Sequence, residues 1–212
     1  MKRFALALIP LLLGASATFG STPQETLERW LPQTKTVDRI NVSGDFALAR
    51  VSGVSIESLP LRSPILLKRF SFGWQVLAAI SATCELTQLG VPDPAIALLA
   101  RGMSLPEDTQ DCHGSGFVPD MGRISDVESV RQLMGMAVFH PYVVVVGDYA
   151  VAEWYGAGGG ETFFKRSGKR WARFAGGGGA YSAQDLISIG MPRATACKMI
   201  GIIDKPLGCG YP

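Results

Sequence analysis

The strongest constraint on this chain is an internal repeat, because segments that recur in order along a sequence each fold into the same kind of unit. Gly44-Asp45-Phe46-Ala47-Leu48-Ala49 returns as Gly147-Asp148-Tyr149-Ala150-Val151-Ala152. Lys68-Arg69, followed by Trp74, is answered by Lys165-Arg166 and Trp171 at the same spacing. Glu85-Leu86 and Gly90-Val91-Pro92 are answered by Asp185-Leu186 and Gly190-Met191-Pro192. Beyond the prolines the copies fall out of step. The order of motifs is kept while the offset between them varies, as expected of two homologous halves that differ by loop insertions and deletions.

Each half constrains the reading of the other. The first repeat is expected over 24–100 and the second over 125–205, joined by a linker at 101–124 and followed by a tail at 206–212. Short helices open the halves at Gln24 to Leu31 and Ser125 to Met134, where Ser125 and Glu128 have the spacing of a capping box with Ser125 as N-cap. Strands follow at Ile40 to Val51 and Tyr142 to Tyr155, rich in β-branched and aromatic residues around the Gly-Asp step. Hairpins come next, Ile65 to Phe70 with Trp74 to Ile80, and Thr162 to Arg166 with Trp171 to Ala175, bending near Gly73 and Gly168. Two short helices then flank each Gly-x-Pro step, with Ser182 and Asp185 as a capping box and Pro94 at the first helical position. The expected fold class is α+β: two tandem homologous units, each a helix, about three antiparallel strands and a helix pair.

Residues 1–17 have the form of a secretory signal peptide: basic Lys2-Arg3, an apolar run from Phe4 to Leu13, and small residues with an Ala15-x-Ala17 cleavage pattern. That run is shorter than the ~20 residues a membrane-spanning helix needs. Removing Lys2 and Arg3 from the 20 basic residues leaves them equal in number to the 18 acidic ones. A neutral exported chain has no general attraction to nucleic acid or to an anionic membrane. The expected location is therefore periplasmic or secreted, with no membrane span after processing. In an oxidising compartment an even set of cysteines reads as disulfides. Cys84 with Cys112 and Cys197 with Cys209 is the preferred pairing, since each closes a short loop within one half.

The second half, through Gly147-Asp148-Tyr149-Ala150-Val151-Ala152, Trp154, Gly159-Gly160, Lys165-Arg166, Trp171 and Leu186 with Gly190-Met191-Pro192, resembles bacterial exported proteins called copper uptake system-associated proteins. The resemblance spans about Pro141 to Ile200 and extends more faintly into the first half. It implies a periplasmic setting and a connection to copper. Members of that family commonly carry a Cys soon after the Trp, whereas Phe174-Ala175-Gly176 stands here.

Candidate chemistry is sparse. Asp45 and Asp148 could share acid and base roles, but recurrence beside Gly at one point of both repeats reads more simply as turn formation. Trp74 and Trp171 read as core aromatics at the hairpins. His113 and His140 are the candidate metal ligands, with Met121, Met134 and Met136 as soft partners suited to Cu(I). Both histidines stand where surface positions are expected, His113 in a Gly-rich loop and His140 before Pro141. The glycine runs at Gly158 to Gly160 and Gly176 to Gly179 complete no phosphate-binding pattern and read as turns at strand ends. Lys68-Arg69 and Lys165-Arg166 read as solvated strand residues. The expected function is an exported, non-enzymatic binding or accessory protein for an unidentified protein or small ligand, without a cofactor. The alternatives are a periplasmic copper-handling accessory protein and an enzyme whose site is formed between the repeats.

Overall fold

The computed structural model describes residues 22–31, 35–53, 64–105, 118–134, 139–140, 142–155, 159–203 and 209. Residues 1–17, expected to be a signal peptide, and His113 lie outside these residues. One sequence of elements runs from α1 (Pro23–Trp30) through β1 (Lys35–Ser43), β2 (Phe46–Gly53), β3 (Ile65–Phe70) and β4 (Gly73–Ala79) to α2 (Thr83–Gln88) and α3 (Asp93–Ala100). The same order then recurs as α4 (Ile124–Met134), β5 (Val143–Val146), β6 (Tyr149–Tyr155), β7 (Gly159–Ser167), β8 (Arg170–Gly178), α5 (Ala183–Ser188) and α6 (Arg193–Ile203). Strands β1 to β4 form one antiparallel sheet in chain order, and β5 to β8 form another. The protein is α+β. No described helix is long and apolar enough to cross a membrane.

Each sheet has four strands where three were expected, because the Gly-Asp step folds back on itself instead of bending a continuous strand. Ser43 pairs with Phe46 and Val146 with Tyr149, so Gly44-Asp45 and Gly147-Asp148 are two-residue hairpin loops. Gly44 and Gly147 have φ of 60° and 62°, and a left-handed glycine at the first loop position is the arrangement of a type II′ turn. Arg69 then grips the first loop, donating to Asp45 Oδ1 from Nε at 2.9 Å and from Nη2 at 2.7 Å. Arg166 treats Asp148 in the same way, at 3.0 and 2.8 Å. The two guanidinium groups lie over the rings of Trp74 and Trp171, at 5.8 and 5.3 Å from the centroids.

Alternation along the strands sends apolar side chains to both faces of each sheet, so each sheet is covered twice. In β2, Phe46 and Leu48 pack with Leu86 of α2 and Leu99 of α3, while Ala47 and Ala49 pack with Leu27 of α1. In β6, Tyr149 and Val151 pack with Leu186 of α5 and Met199 of α6, while Ala150 and Ala152 pack with Val127 and Val130 of α4. Capping boxes start α1, from Thr22 and Glu25, and α5, from Ser182 and Asp185. Helix α3 starts at Asp93, which places Pro94 one position further in than expected. Ser125 is not an N-cap either. Helix α4 begins at Ile124, and the N–H groups of Asp126 and Val127 donate to the Arg123 carbonyl. Glu128, expected to complete the box, turns instead toward the first sheet and accepts from the Ser71 N–H at 2.8 Å and from its hydroxyl.

A buried arginine joins the two sheets. The Arg131 side chain is fully buried on α4 and donates to Asp120 Oδ1 at 2.6 Å and Oδ2 at 3.3 Å, to Gln75 Oε1 at 3.1 Å, and to the His140 carbonyl at 2.7 Å. Its guanidinium lies 4.9 Å from the Phe70 ring centroid. Asp120 also accepts from the Val143 N–H at 2.9 Å and faces Lys68 Nζ at 3.5 Å. Burial alone would raise the Asp120 pKa, but the charge and hydrogen bonds of Arg131, the charge of Lys68 and the Val143 N–H together hold it below the usual carboxylate value. The expected linker thus carries a central structural residue, and Lys68, expected in solvent, is partly buried against it. Aromatic packing reinforces the joint, since Phe139 reaches Trp30 with ring centroids 4.8 Å apart.

Cys197 and Cys209 form a disulfide with Cα atoms 4.9 Å apart, which fastens the tail to α6 as expected. Cys84 is also disulfide-bonded, and Cys112 lies outside the described residues.

Removing Arg131 would leave the Asp120 carboxylate in a desolvated place without its main partner, so Arg131→Met is expected to lower unfolding free energy by about 3–5 kcal/mol. The exposed Arg69–Asp45 pair is a control, and Arg69→Met should cost no more than about 1 kcal/mol. Urea unfolding of the two variants measures both, and equal losses would show that the buried pair has no special role.

Candidate functional site

The glycine-rich ends of β7 and β8 shape one end of the second sheet. Gly160 pairs with Trp154 across β6 and β7, and Thr162 pairs with Gly176 across β7 and β8. A Cβ on Gly160 would stand 2.8 Å from the Trp154 ring, and one on Gly176, whose φ is 147°, would stand 2.8 Å from the Glu161 carbonyl oxygen. These glycines therefore permit close approach within the sheet, where turns at strand ends were expected. They let the Trp154 indole lie against the strands.

Beside that indole is a cavity of about 330 Å³. Leu133 and Met134 of α4 and Phe164 of β7 supply apolar wall, together with Trp154. Thr162, Arg173 and His140 supply the polar groups. Arg173 is exposed, whereas His140 is 0% exposed and its ring nitrogens are closed to solvent, so the imidazole sits behind the cavity wall.

His140 is the unusual member, and its burial overturns the expected surface position. Proximity to Pro141 suggested an exposed strand start. Instead Phe139 pairs with Tyr155 through two backbone hydrogen bonds of 3.0 and 3.1 Å, and Arg131 takes the His140 carbonyl, so the residue is drawn inside from both sides. Neither ring nitrogen makes a hydrogen bond of good geometry among the described residues, although the Glu153 backbone lies near enough to act on the ring. Burial, and next the charge of Arg131, push the His140 pKa down to about 4, against a smaller opposing effect of the Glu153 backbone. The imidazole is therefore neutral near pH 7 and presents one donor and one acceptor. A buried polar group left poorly paired costs about 1–3 kcal/mol, a penalty the surrounding packing must offset.

The opposite face of the same strands holds acidic groups. Glu153 and Glu161 stand directly across from each other on β6 and β7. Burial pushes the Glu153 pKa up to about 7; a hydrogen bond from the Tyr155 hydroxyl at 3.3 Å opposes this and the charge of Glu161 adds to it. Burial raises the Tyr155 pKa as well, with the Glu153 charge next in importance. Glu161 accepts the Tyr181 N–H at 3.1 Å.

The other candidate residues lie elsewhere. Asp45 and Asp148 are each held by an arginine at the turn of a different sheet, and neither lines the His140 cavity. Trp74 and Trp171 are 5% and 8% exposed and pack in the cores. Arg166, expected in solvent, is partly buried and also pairs with Asp126 at 3.0 Å, whose carboxylate accepts the Trp171 indole N–H. Met134 shares the cavity with His140, while Met121 is exposed at 40% and Met136 lies outside the described residues. Among the described residues no group of three or more His, Cys, Asp or Glu is placed to hold a metal ion. A second cavity of about 310 Å³ lies at the joint, beside Asp45, Lys68, Asp120 and Glu128. Its charged groups are engaged: Asp45 with Arg69, Lys68 with Asp120, Glu128 with Ser71. Arg173 and Thr162 were missed from sequence, and the available signal was the pair of glycine runs, which mark strands that something approaches closely.

The two displaced pKa values act in opposite directions on stability. Glu153 keeps its proton to about pH 7 when folded but only to 4.5 when unfolded, so its contribution is full below 4.5 and is lost as pH rises toward 7. His140 takes a proton near 6.5 when unfolded but only near 4 when folded, so its contribution is lost as pH falls through that interval. Glu153→Gln removes the first effect and leaves the second. The variant should be more stable than the natural chain at pH 8, with the advantage vanishing near pH 4.5. Thermal unfolding followed by circular dichroism at several pH values measures this, and a constant difference across that range would contradict it.

No protein family, characterised protein or solved structure matches this chain.

Proposed function

We propose that this chain is an exported, non-catalytic binding protein that holds a small ligand in the His140 cavity. The observation that carries this reading is the mixed apolar and polar cavity between Trp154, Phe164 and the end of α4, with the neutral His140 imidazole buried against it. The volume of about 330 Å³ falls at the small end of the ~300–1,000 Å³ usual for small-molecule sites. The disulfide at Cys197 and Cys209 supports life in an oxidising compartment. Against catalysis stands the engagement of Asp45 and Asp148 by arginines, which leaves neither poised as acid or base. Ligand binding stabilises a folded chain by about 2.7 kcal/mol at a concentration 100 times Kd. A small-molecule screen by thermal shift should therefore yield stabilising compounds whose effect disappears in His140→Leu. Compounds that stabilise that variant equally would place the binding elsewhere.

Copper handling is the second reading, favoured by one observation: His140 and Met134 line the same cavity. Imidazole and thioether together suit Cu(I), although this pair offers two donors and the described residues supply no His, Cys, Asp or Glu cluster to extend it. Anaerobic titration against a chromophoric Cu(I) chelator tests the idea. A one-to-one complex lost in both His140→Leu and Met134→Leu would support it, and a complex retained in both would refute it.

A further inference from the structure

We infer that the outer edge of β8 takes up an extended acidic segment of another polypeptide as an added strand. The two halves differ here. In β4 every residue from Trp74 to Ala78 is buried, and the second half contributes to that cover, since Gln75 exchanges hydrogen bonds with Arg131 at 3.1 and 3.3 Å. Strand β8 holds the same place in the second sheet, last in the order β5-β6-β7-β8, yet Trp171 is its one buried residue. No segment pairs with its outer edge among the described residues.

The backbone there is set out for pairing. Ser167 pairs with Arg170 around the two-residue loop Gly168-Lys169, and in such a hairpin the closing pair exchanges both hydrogen bonds while the next pair exchanges none. The N–H and C=O groups of Trp171, and by alternation those of Arg173, therefore point away from β7. Further along, a Cβ on Gly178 would lie 3.6 Å from the Gly159 carbonyl oxygen and one on Gly177 would lie 3.4 Å from the Tyr181 hydroxyl, both ordinary contacts. Internal packing does not require glycine at these two positions, whereas the close approach of a second backbone is eased by it.

Charge selects the partner. Lys169, Arg170 and Arg173 are exposed, and the ion pairs among the described residues use none of them. No Asp or Glu occurs between Glu161 and Asp185. Strand β4, by comparison, carries no charged residue. Cations on an open edge guard against pairing with a second copy through that edge, because they would meet their own equivalents. The guard does not hold against a strand of Asp or Glu residues, which turns the repulsion into cross-strand ion pairs. Main-chain hydrogen bonds supply the affinity of strand addition and side chains its selectivity, so a polyanion without amide groups satisfies only half of this edge.

Fluorescence anisotropy with labelled octapeptides separates the contributions, using alternating Thr-Glu, alternating Thr-Gln, and Thr-Glu with every backbone amide N-methylated. The Thr-Glu peptide should bind about tenfold more tightly than Thr-Gln, within reach of two or three exposed ion pairs, and the N-methylated peptide, of unchanged charge, should lose at least as much. Amide hydrogen exchange at Trp171 and Arg173 should slow in the Thr-Glu complex. Lys169→Glu combined with Arg170→Glu, both at exposed positions, should reverse the preference, so that alternating Thr-Lys binds in place of Thr-Glu. Absence of binding, equal binding of the acidic and neutral peptides, or full binding of the N-methylated peptide, the behaviour of a general polyanion site, would each overturn the proposal. Slowed exchange confined to another part of the chain would overturn it too.

Discussion

Arg131 is the group on which the arrangement of the two sheets depends. It extends from a helix that packs on the second sheet, reaches Gln75 and Phe70 of the first, and meets Asp120 from the segment between them. A guanidinium buried to this degree needs its donors matched in fixed directions, and here Asp120 takes two of them in a forked pair. Apolar packing alone would tolerate small slides of one sheet against the other. The hydrogen bonds to Asp120, Gln75 and the His140 carbonyl do not, and they also set the position of the strand start that carries His140.

The recurring motifs have a common physical explanation. Glycine allows the left-handed first position of the hairpin loop, Asp accepts from the arginine that follows on the adjacent strand, and the arginine covers the tryptophan of the next hairpin. The halves differ in how exposed this cluster is. Arg69 has 56% of its side chain exposed, while Arg166 has 25% because Asp126 of α4 adds a second carboxylate. A pattern that looks like chemistry in sequence, with an acid, an arginine and an indole, is used at both places to hold a turn.

The cavity beside His140 arises from small residues and a large one. Gly160 of β7 and Gly176 of β8 lack side chains that would collide with Trp154 or the neighbouring backbone. Glycine weakens a strand interior, and here Trp154 provides apolar surface over the weakened region. The space between that surface and the end of α4 becomes the cavity, and the joint buries His140 against its wall. Construction of the site and joining of the sheets are thus coupled through the His140 carbonyl.

Much of the fold was legible because it depends on short-range rules. The α+β class, the hairpins around Gly73 and Gly168, the capping box at Ser182 and the pairing of Cys197 with Cys209 all follow from residues close in the chain. The strand count failed at Gly44 and Gly147, where the same glycine can bend a strand or reverse it, and the choice depends on whether the strands on either side pair with each other. His140 was misread, and Asp120 passed over within the expected linker, for a different reason. Their surroundings are built by Arg131, Gln75 and Val143, which come from separate elements, and nothing in the residues beside them records that meeting. Sequence by itself determined the hairpins at Gly73 and Gly168, the Ser182 cap and the strand alternation, since these minimise backbone and side-chain energies within a few residues. Only the tertiary structure decided which polar groups became buried, because desolvation depends on everything that surrounds a group in space.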